Sequence, residues 1–356
     1  MDLKKLTALA LGAALTLSLA ACSSGGSTAT PAPKDTAPAA TAPADATPSG
    51  EKITLVFSST ALPNSPHGEA QEIFKSKLEE VSGGTMTVEN YYNGTLFAQN
   101  AEVAALRAGD CDMIYSSAAW LTDGSPWVSM FSAGYLFKSY DHMTGVFNGD
   151  IGKEVFQKIG DEQGILPLSA YYMGSRDISL SEDRAVTTPE DLNGVNLRMP
   201  DSEAWMFLGR ALGANPTPVN FSDLYLALQT RTVDGQDNPL AGVESGKFYE
   251  VQGSITLTNH VIDSIWPTMN LDKWNSLSAE QQGWVMEAIE AGREYCDQKY
   301  IESETTLVDF FKDEGLSIYE ADVDAFAEHV QNEYLNSDFS KTWDMDLYQQ
   351  IQDMAK

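Results

Sequence analysis

The chain has 356 residues, 43% of them hydrophobic, which is enough for two domains with cores of their own. Lysine and arginine number 22 against 51 aspartates and glutamates, a formal net charge of -29. Such a surface repels nucleic acid and anionic lipid, so neither is expected as a partner, and any anion site must be local and built from particular arginines.

Lys4 and Lys5 precede an apolar stretch, Leu6 to Leu19, too short to span a bilayer comfortably. Leu19-Ala20-Ala21-Cys22 follows and resembles a bacterial lipobox. Residues 1–21 then read as a signal peptide and Cys22 as a lipidated N-terminus, which holds a protein to a membrane surface without spanning it. An ordinary signal peptide with an incidental cysteine is the alternative. Residues 22–50 are Ser, Thr, Ala, Pro and Gly with almost no large apolar side chain, the composition of a disordered linker. Cys111 and Cys296 are too few for a disulfide framework or a metal site. Buried free thiols are expected, with a pair left open if the fold brings them together.

Ile53 to Ser58 reads as a buried strand of a parallel sheet. Ser65-Pro66 can open a helix that runs to Gly83-Gly84, since serine caps and proline fits a first turn. Thr85 to Tyr91 is a second strand, Ala101 to Ala108 a helix, and Cys111 to Tyr115 a third strand; this alternation predicts parallel pairing. Thr144 to Gly160 reads as one helix and Leu166 to Tyr172 as a strand, after which Gly174 suits a hinge or a close ligand approach. Val195 to Arg198, Thr217 to Val219 and Thr232 to Gln236 read as strands, with helices from Ser202 to Leu212 and, capped by Ser222, from Asp223 to Thr230. Two further strands are expected at Ile255 to Leu257 and Ser264 to Asn270. Ser278 to Gln281 is a capping box that opens a helix reaching to Gly315, roughly 50 Å long, unless it breaks near Glu302 to Thr306. Asp322 to Lys356 reads as helical and is expected to pack on the second lobe.

Strand ends of such α/β units converge on a crevice where ligands bind. Arg198 sits at one such end and Asn238 at another. The four histidines, His67, His142, His260 and His329, stand far apart with no metal or nucleophile motif around them. Neither a catalytic residue, a metal nor a cofactor is expected.

Leu197-Arg198-Met199-Pro200, then Gly213 to Thr230, Val233 to Leu240 and Lys247 to Gln252 resemble the second-lobe signature of solute-binding proteins of TRAP (tripartite ATP-independent periplasmic) transporters. The similarity runs from about Lys52 to the C-terminus. It implies a two-lobe periplasmic-binding-protein-like α/β fold with a long helix spanning both lobes, divided as residues 51–173 plus 264–303 and 174–263 plus 304–356. It implies capture of a small organic acid outside the cytoplasmic membrane, in the periplasm or on the outer cell surface, and delivery to the membrane subunits of a TRAP permease, by a monomer. By the resemblance Arg198 holds the substrate carboxylate, Arg176 falls on a second family arginine, Asn238 on an asparagine with Asp237 in place of the usual glutamate, and Phe221 on an aromatic that packs on the ligand. Asn64, His67, Ser117, Tyr172 and Trp266 are further candidates for the cleft. Together they suggest one carboxylate with a less polar remainder, and both arginines are expected to be wet in the unliganded protein. A secreted lipoprotein hydrolase on an α/β scaffold is the alternative.

The anchor is open to a direct test. Cys22→Ser should leave the protein unprocessed or release it from membranes with ligand binding unchanged; wild-type protein that carries no lipid and fractionates as soluble would refute the anchor.

Overall fold

The computed structural model describes residues 52–355; the expected signal peptide, Cys22 and the expected linker lie outside them. The strands are β1 (Ile53–Ser58), β2 (Met86–Tyr91), β3 (Met113–Ser116), β4 (Ile165–Pro167), β5 (Tyr171–Leu180), β6 (Asn196–Met199), β7 (Asn215–Pro218), β8 (Gly235–Pro239), β9 (Ser254–Asn270) and β10 (Ser317–Glu320). They form a 10-stranded sheet in the order β2-β1-β3-β9-β5-β8-β6-β7, with β4 and β10 also paired to β9. As the alternation predicts, β1 pairs in parallel with β2 and β3, and β6 in parallel with β7 and β8.

The two halves are joined by β5 and β9, which pair antiparallel along their length. The two strands expected within residues 255–270 are a single 17-residue strand. Its polar middle remains extended because its polar groups find partners: Thr258 and His260 are fully buried, and the Thr258 hydroxyl lies 2.8 Å from His260 Nδ1. The strand expected at Leu166 to Tyr172 divides into β4 and the start of β5. The register of β5 against β9 shifts between Tyr172 and Gly174 and again between Arg176 and Ile178. Gly174 adopts φ 92°, a left-handed conformation natural to glycine, and a Cβ there would press to 3.1 Å from Pro239.

Local signals place the helices. Ser65 caps Pro66–Val81, its hydroxyl accepting from the Gly68 amide at 3.2 Å. Both bonds of the Ser278 capping box form, and the helix Ala279–Asp313 runs 35 residues without a break at Glu302 to Thr306. The single helix expected from Thr144 is two, Tyr140–Phe147 and Asp150–Gln163. Asn148 stands at the break, its amide bonded to the backbone of Ala170 rather than left to a helical turn. Phe221–Asp223 is a short 3-10 turn before the helix Leu224–Gln229, so Ser222 does not cap it. The C-terminal segment is likewise two helices. Val323–Leu335 packs Tyr334 on Phe207 at 4.7 Å, whereas Met345–Met354 lies against Tyr140–Phe147, where the Ile351 carbonyl is 2.7 Å from His142 Nε2. Cys111 and Cys296 are buried and unpaired.

One buried acid makes stability depend on pH. Glu102 is 2% exposed and accepts a hydrogen bond from Ser58 at 2.8 Å. Burial pushes its carboxyl up to about 8, and the Ser58 bond opposes that only in part. The folded state therefore holds this proton more tightly than the unfolded chain, so the group's stabilisation is complete below an ordinary glutamate pKa and drains away as pH rises toward 8. Glu102→Gln should flatten that decline and raise the melting temperature at pH 8 more than at pH 5; equal shifts at the two pH values would show that Glu102 does not titrate in this way.

Candidate ligand-binding site

A cavity enclosing about 630 Å³ of space free of protein atoms, its open mouth included, lies between the two halves. Strand alternation and the bulge in β5 decide what faces it. Met173 and Arg176 line this cavity, while Tyr172, Ser175 and Asp177 line a separate cavity. On β9, Asp263 and Ser264 face the first cavity and Asn259 and Ile262 the second. Segments that follow β1, β2, β3, β6, β7 and β8 supply most of the remaining wall, as strand-end geometry anticipates.

Arg198, near the end of β6, is 1% exposed, and its Nε donates to the Val219 carbonyl at 2.8 Å. Its Nη2 is buried with no hydrogen-bond partner among the described residues, and no carboxylate among them forms an ion pair with it. Burial pushes this guanidinium down to about 9, with Asp237 opposing and Arg176 adding to the shift. It remains a cation at neutral pH, and an uncompensated one.

Arg176 is buried as well, with every donor group engaged. Its Nε donates to Asp237 Oδ2 at 2.6 Å and its Nη1 to Asp263 Oδ2 at 2.8 Å. Its Nη2 donates to the Asp237 carbonyl at 2.8 Å and to Asn238 Oδ1 at 3.2 Å, and the guanidinium lies 4.6 Å from the Trp205 ring centre. Burial alone would lower Arg176, but the two carboxylates hold it above its ordinary value. Burial likewise pulls Asp237 up, and Arg176 overrides it to leave that carboxyl well below the usual range. Asp263 is raised, because there burial outweighs the same guanidinium. Neither arginine is wet, contrary to expectation: the halves meet closely enough to bury both.

The Asn238 amide is tied at both ends, accepting from Arg176 and donating to Gln236 Oε1. Phe221 lines the cavity, and its amide donates to Gln99 Oε1 at 3.2 Å. Asn100 donates to Asp201 at 3.2 Å beside it, so the loop that holds Gln99 and Asn100 bridges the two halves. Ser117 lines the cavity with its hydroxyl buried and unpartnered. His67 does so too, with Nδ1 2.7 Å from the Tyr300 hydroxyl; desolvation pushes its imidazole down to about 4, neutral at physiological pH.

Three sequence candidates lie elsewhere. Trp266 is fully buried in the core, 5.1 Å from the rings of both Phe147 and Phe156, with its indole N–H donating to the Ser264 hydroxyl at 2.9 Å. Tyr172 faces the second cavity, its hydroxyl bonded to Glu304. Asn64 is exposed in the turn before Pro66–Val81, and its neighbours Leu62 and Ser65 line the wall instead. Sequence reasoning passed over Trp120, Trp205 and Gln99. Trp120 and Trp205 fall within seven residues of Arg198 or Ser117. Reading outward from those two strand ends would have found them.

Two α/β halves joined by crossover strands, with an unneutralised arginine between them, have the architecture of a two-lobed binding protein. The chain belongs to the bacterial extracellular solute-binding proteins of family 7, whose family profile matches residues 57–341. It is 30% identical over 285 residues to the sialic acid-binding periplasmic protein SiaP of Vibrio cholerae, covering 80% of this chain and 88% of that one. Among solved structures, it is similar to a TRAP periplasmic solute-binding protein of Roseobacter denitrificans with bound 3-deoxy-D-manno-oct-2-ulosonic acid, at 40% identity and TM-score 0.82, covering 85% of this chain and 99% of that one. A second protein of that organism, with bound L-galactonate, is 28% identical with TM-score 0.78, covering 86% and 100%.

The two arginines should separate in a stability measurement on unliganded protein. Arg176→Ala strands two buried carboxylates and should destabilise by about 3–5 kcal/mol. Arg198→Ala removes a buried charge that has no counter-ion and should leave stability unchanged or slightly higher. Urea denaturation of both variants checks this; equal losses would mean that Arg198 has a stabilising partner.

Proposed function

We propose that the protein captures a small organic acid outside the cytoplasmic membrane and hands it to a TRAP-type permease. Arg198 is the carboxylate ligand in this reading. The observation that carries it is a buried guanidinium on the cavity wall with an unpartnered Nη2 and no ion pair. A carboxylate that loses its water in such a cavity needs charge-assisted bonds in return, and a planar guanidinium supplies two in parallel. The relatives support the same ligand class, since SiaP is named for sialic acid and the Roseobacter proteins hold sugar acids.

Arg176 acts here as a positioning group. Its four bonds tie β5, β8 and β9 together beneath Arg198. Phe221, Ser117 and His67 complete the wall around the ligand, and the lobes divide near residues 173–174, 263–264 and 303–304. Lipidation of Cys22 after removal of residues 1–21 would hold the receptor at the membrane through residues 22–50, with no cofactor and as a monomer. Among the described residues no helix is long and apolar enough to cross a membrane. The hydrolase reading has less behind it: the imidazole on the wall, His67, is bonded to Tyr300 rather than to a serine or cysteine.

Calorimetric titration with organic acids tests the reading. Arg198→Ala should weaken the best-bound acid by about 2–5 kcal/mol, and Arg198→Lys should recover only part of that, since an ammonium lacks the fork. If Arg198→Ala folds normally and binds as tightly as wild type, the carboxylate is held elsewhere.

A further inference from the structure

Among the described residues, the buried side-chain atoms without a hydrogen-bond partner fall into two groups. On residues that do not line the cavity they are mostly acceptors: Asn90 Oδ1, Asn220 Oδ1, Asp237 Oδ1 and Gln252 Oε1, with the Ser181 and Tyr334 hydroxyls. On residues that line the cavity they are all able to donate: Arg198 Nη2, Trp120 Nε1, Trp205 Nε1 and the Ser117 hydroxyl. An indole N–H can only donate, and a buried donor left unpaired opposes folding. All four residues line this cavity, Ser117 and Trp205 bordering a smaller neighbouring one as well, and their gathering there points to acceptors supplied by whatever fills it.

We infer that Trp120, Trp205 and Ser117 are specificity-determining residues that donate to hydroxyl oxygens, and that the acid held by Arg198 is therefore a polyhydroxylated monocarboxylate. This rests on the reading of Arg198 as the carboxylate ligand. A carboxylate has two oxygens, and a bidentate guanidinium occupies both. The indoles and the serine are then left for oxygens of another kind. A second carboxylate is a poor fit, because the other cation on the wall, Arg176, already holds Asp237 and Asp263, and His67 is neutral. An apolar remainder, the extreme of the less polar one that the sequence suggests, would strand all three groups.

The placement of the two indoles strengthens the assignment. Trp120 follows β3 in one half of the molecule, and Trp205 lies in the helix Glu203–Ala211 that follows β6 in the other. Each half thus brings its own neutral donor to the same ligand. The face of the Trp205 ring is taken by the Arg176 guanidinium, which fixes the ring and leaves its N–H edge to read the ligand.

The test is titration calorimetry on the processed full-length protein. The probes are aldonic, uronic and ulosonic acids, carbon-matched unsubstituted monocarboxylates and dicarboxylates, and the neutral alditols. The tightest ligand should be a polyhydroxy acid, preferred over its unsubstituted counterpart by on the order of 100-fold or more, because a site built to bond hydroxyls rejects an analogue without them. Trp120→Phe and Trp205→Phe keep an aromatic ring but remove the N–H. Each should weaken the polyhydroxy acid about 10-fold and leave the unsubstituted acid unchanged, a split that a loss of folding would not produce. An unsubstituted acid or a dicarboxylate as the tightest ligand, or tryptophan variants that weaken both classes equally, overturns this inference while leaving the Arg198 reading intact. An alditol that binds as well as its acid, or no binding by any probe, overturns both.

Discussion

Burial of two guanidiniums side by side is the constraint on which the cavity depends. Like charges in a low dielectric repel, and each has lost its water, so the pair is tolerable only if at least one is neutralised. Arg176 is: Asp237 comes to it from β8 and Asp263 from β9, and Trp205 covers its face. Those bonds hold the three strands at one register beneath the cavity. They also consume the nearby carboxylates, so that Arg198 has the charge of Asp237 in its favour but no ion pair of its own among the described residues. The cationic character of the cavity comes from this unequal division of two acids between two arginines. In a chain with a net charge of -29, a local arrangement of this kind is what an anion site requires.

The strands that carry Arg176 and Asp263 are also those that join the halves. β5 and β9 present one face to the ligand cavity and the other to a second cavity lined by Tyr172, Asp177 and Glu304. A bend of these strands changes both cavities, and the shifts of register at Gly174 and after Arg176 are where such a bend is least resisted. The long helix Ala279–Asp313 runs across the same region, bonding through Tyr300 to His67 and through Glu304 to Tyr172. Contacts made in the cavity therefore reach the strands that join the halves through few intermediates. Binding proteins of this architecture close by hinge bending between two states, and the ligand biases that equilibrium through contacts with both halves.

Much of the fold was legible because its signals are local. β1 has the bounds that its run of apolar and β-prone residues predicts, and both the Ser65 cap and the Ser278 capping box form. The misreadings share a cause. The polar middle of β9 reads as a loop, yet it is strand, because Thr258 and His260 bond to each other inside the protein. The helix predicted across Asn148 breaks there because Ala170, distant in sequence, offers its backbone to the asparagine side chain. Within the site, alternation along a regular strand was readable, but the bulge in β5 was not. The outward turn of Tyr172 could not be had from counting residues.

The sequence by itself determined most of the elements, the parallel pairing of β1 with β2 and β3 and of β6 with its neighbours, and which arginine stands near the strand end beside the crevice, because caps, turns and periodicity act over a few residues. The tertiary structure decided which of two buried arginines is neutralised, and that Trp266 belongs to the core while Trp120 and Trp205 line the cavity. Those outcomes depend on partners 61 and 87 residues away in the case of Arg176, and no local pattern encodes which carboxylates will lie beside a given guanidinium once the chain has folded.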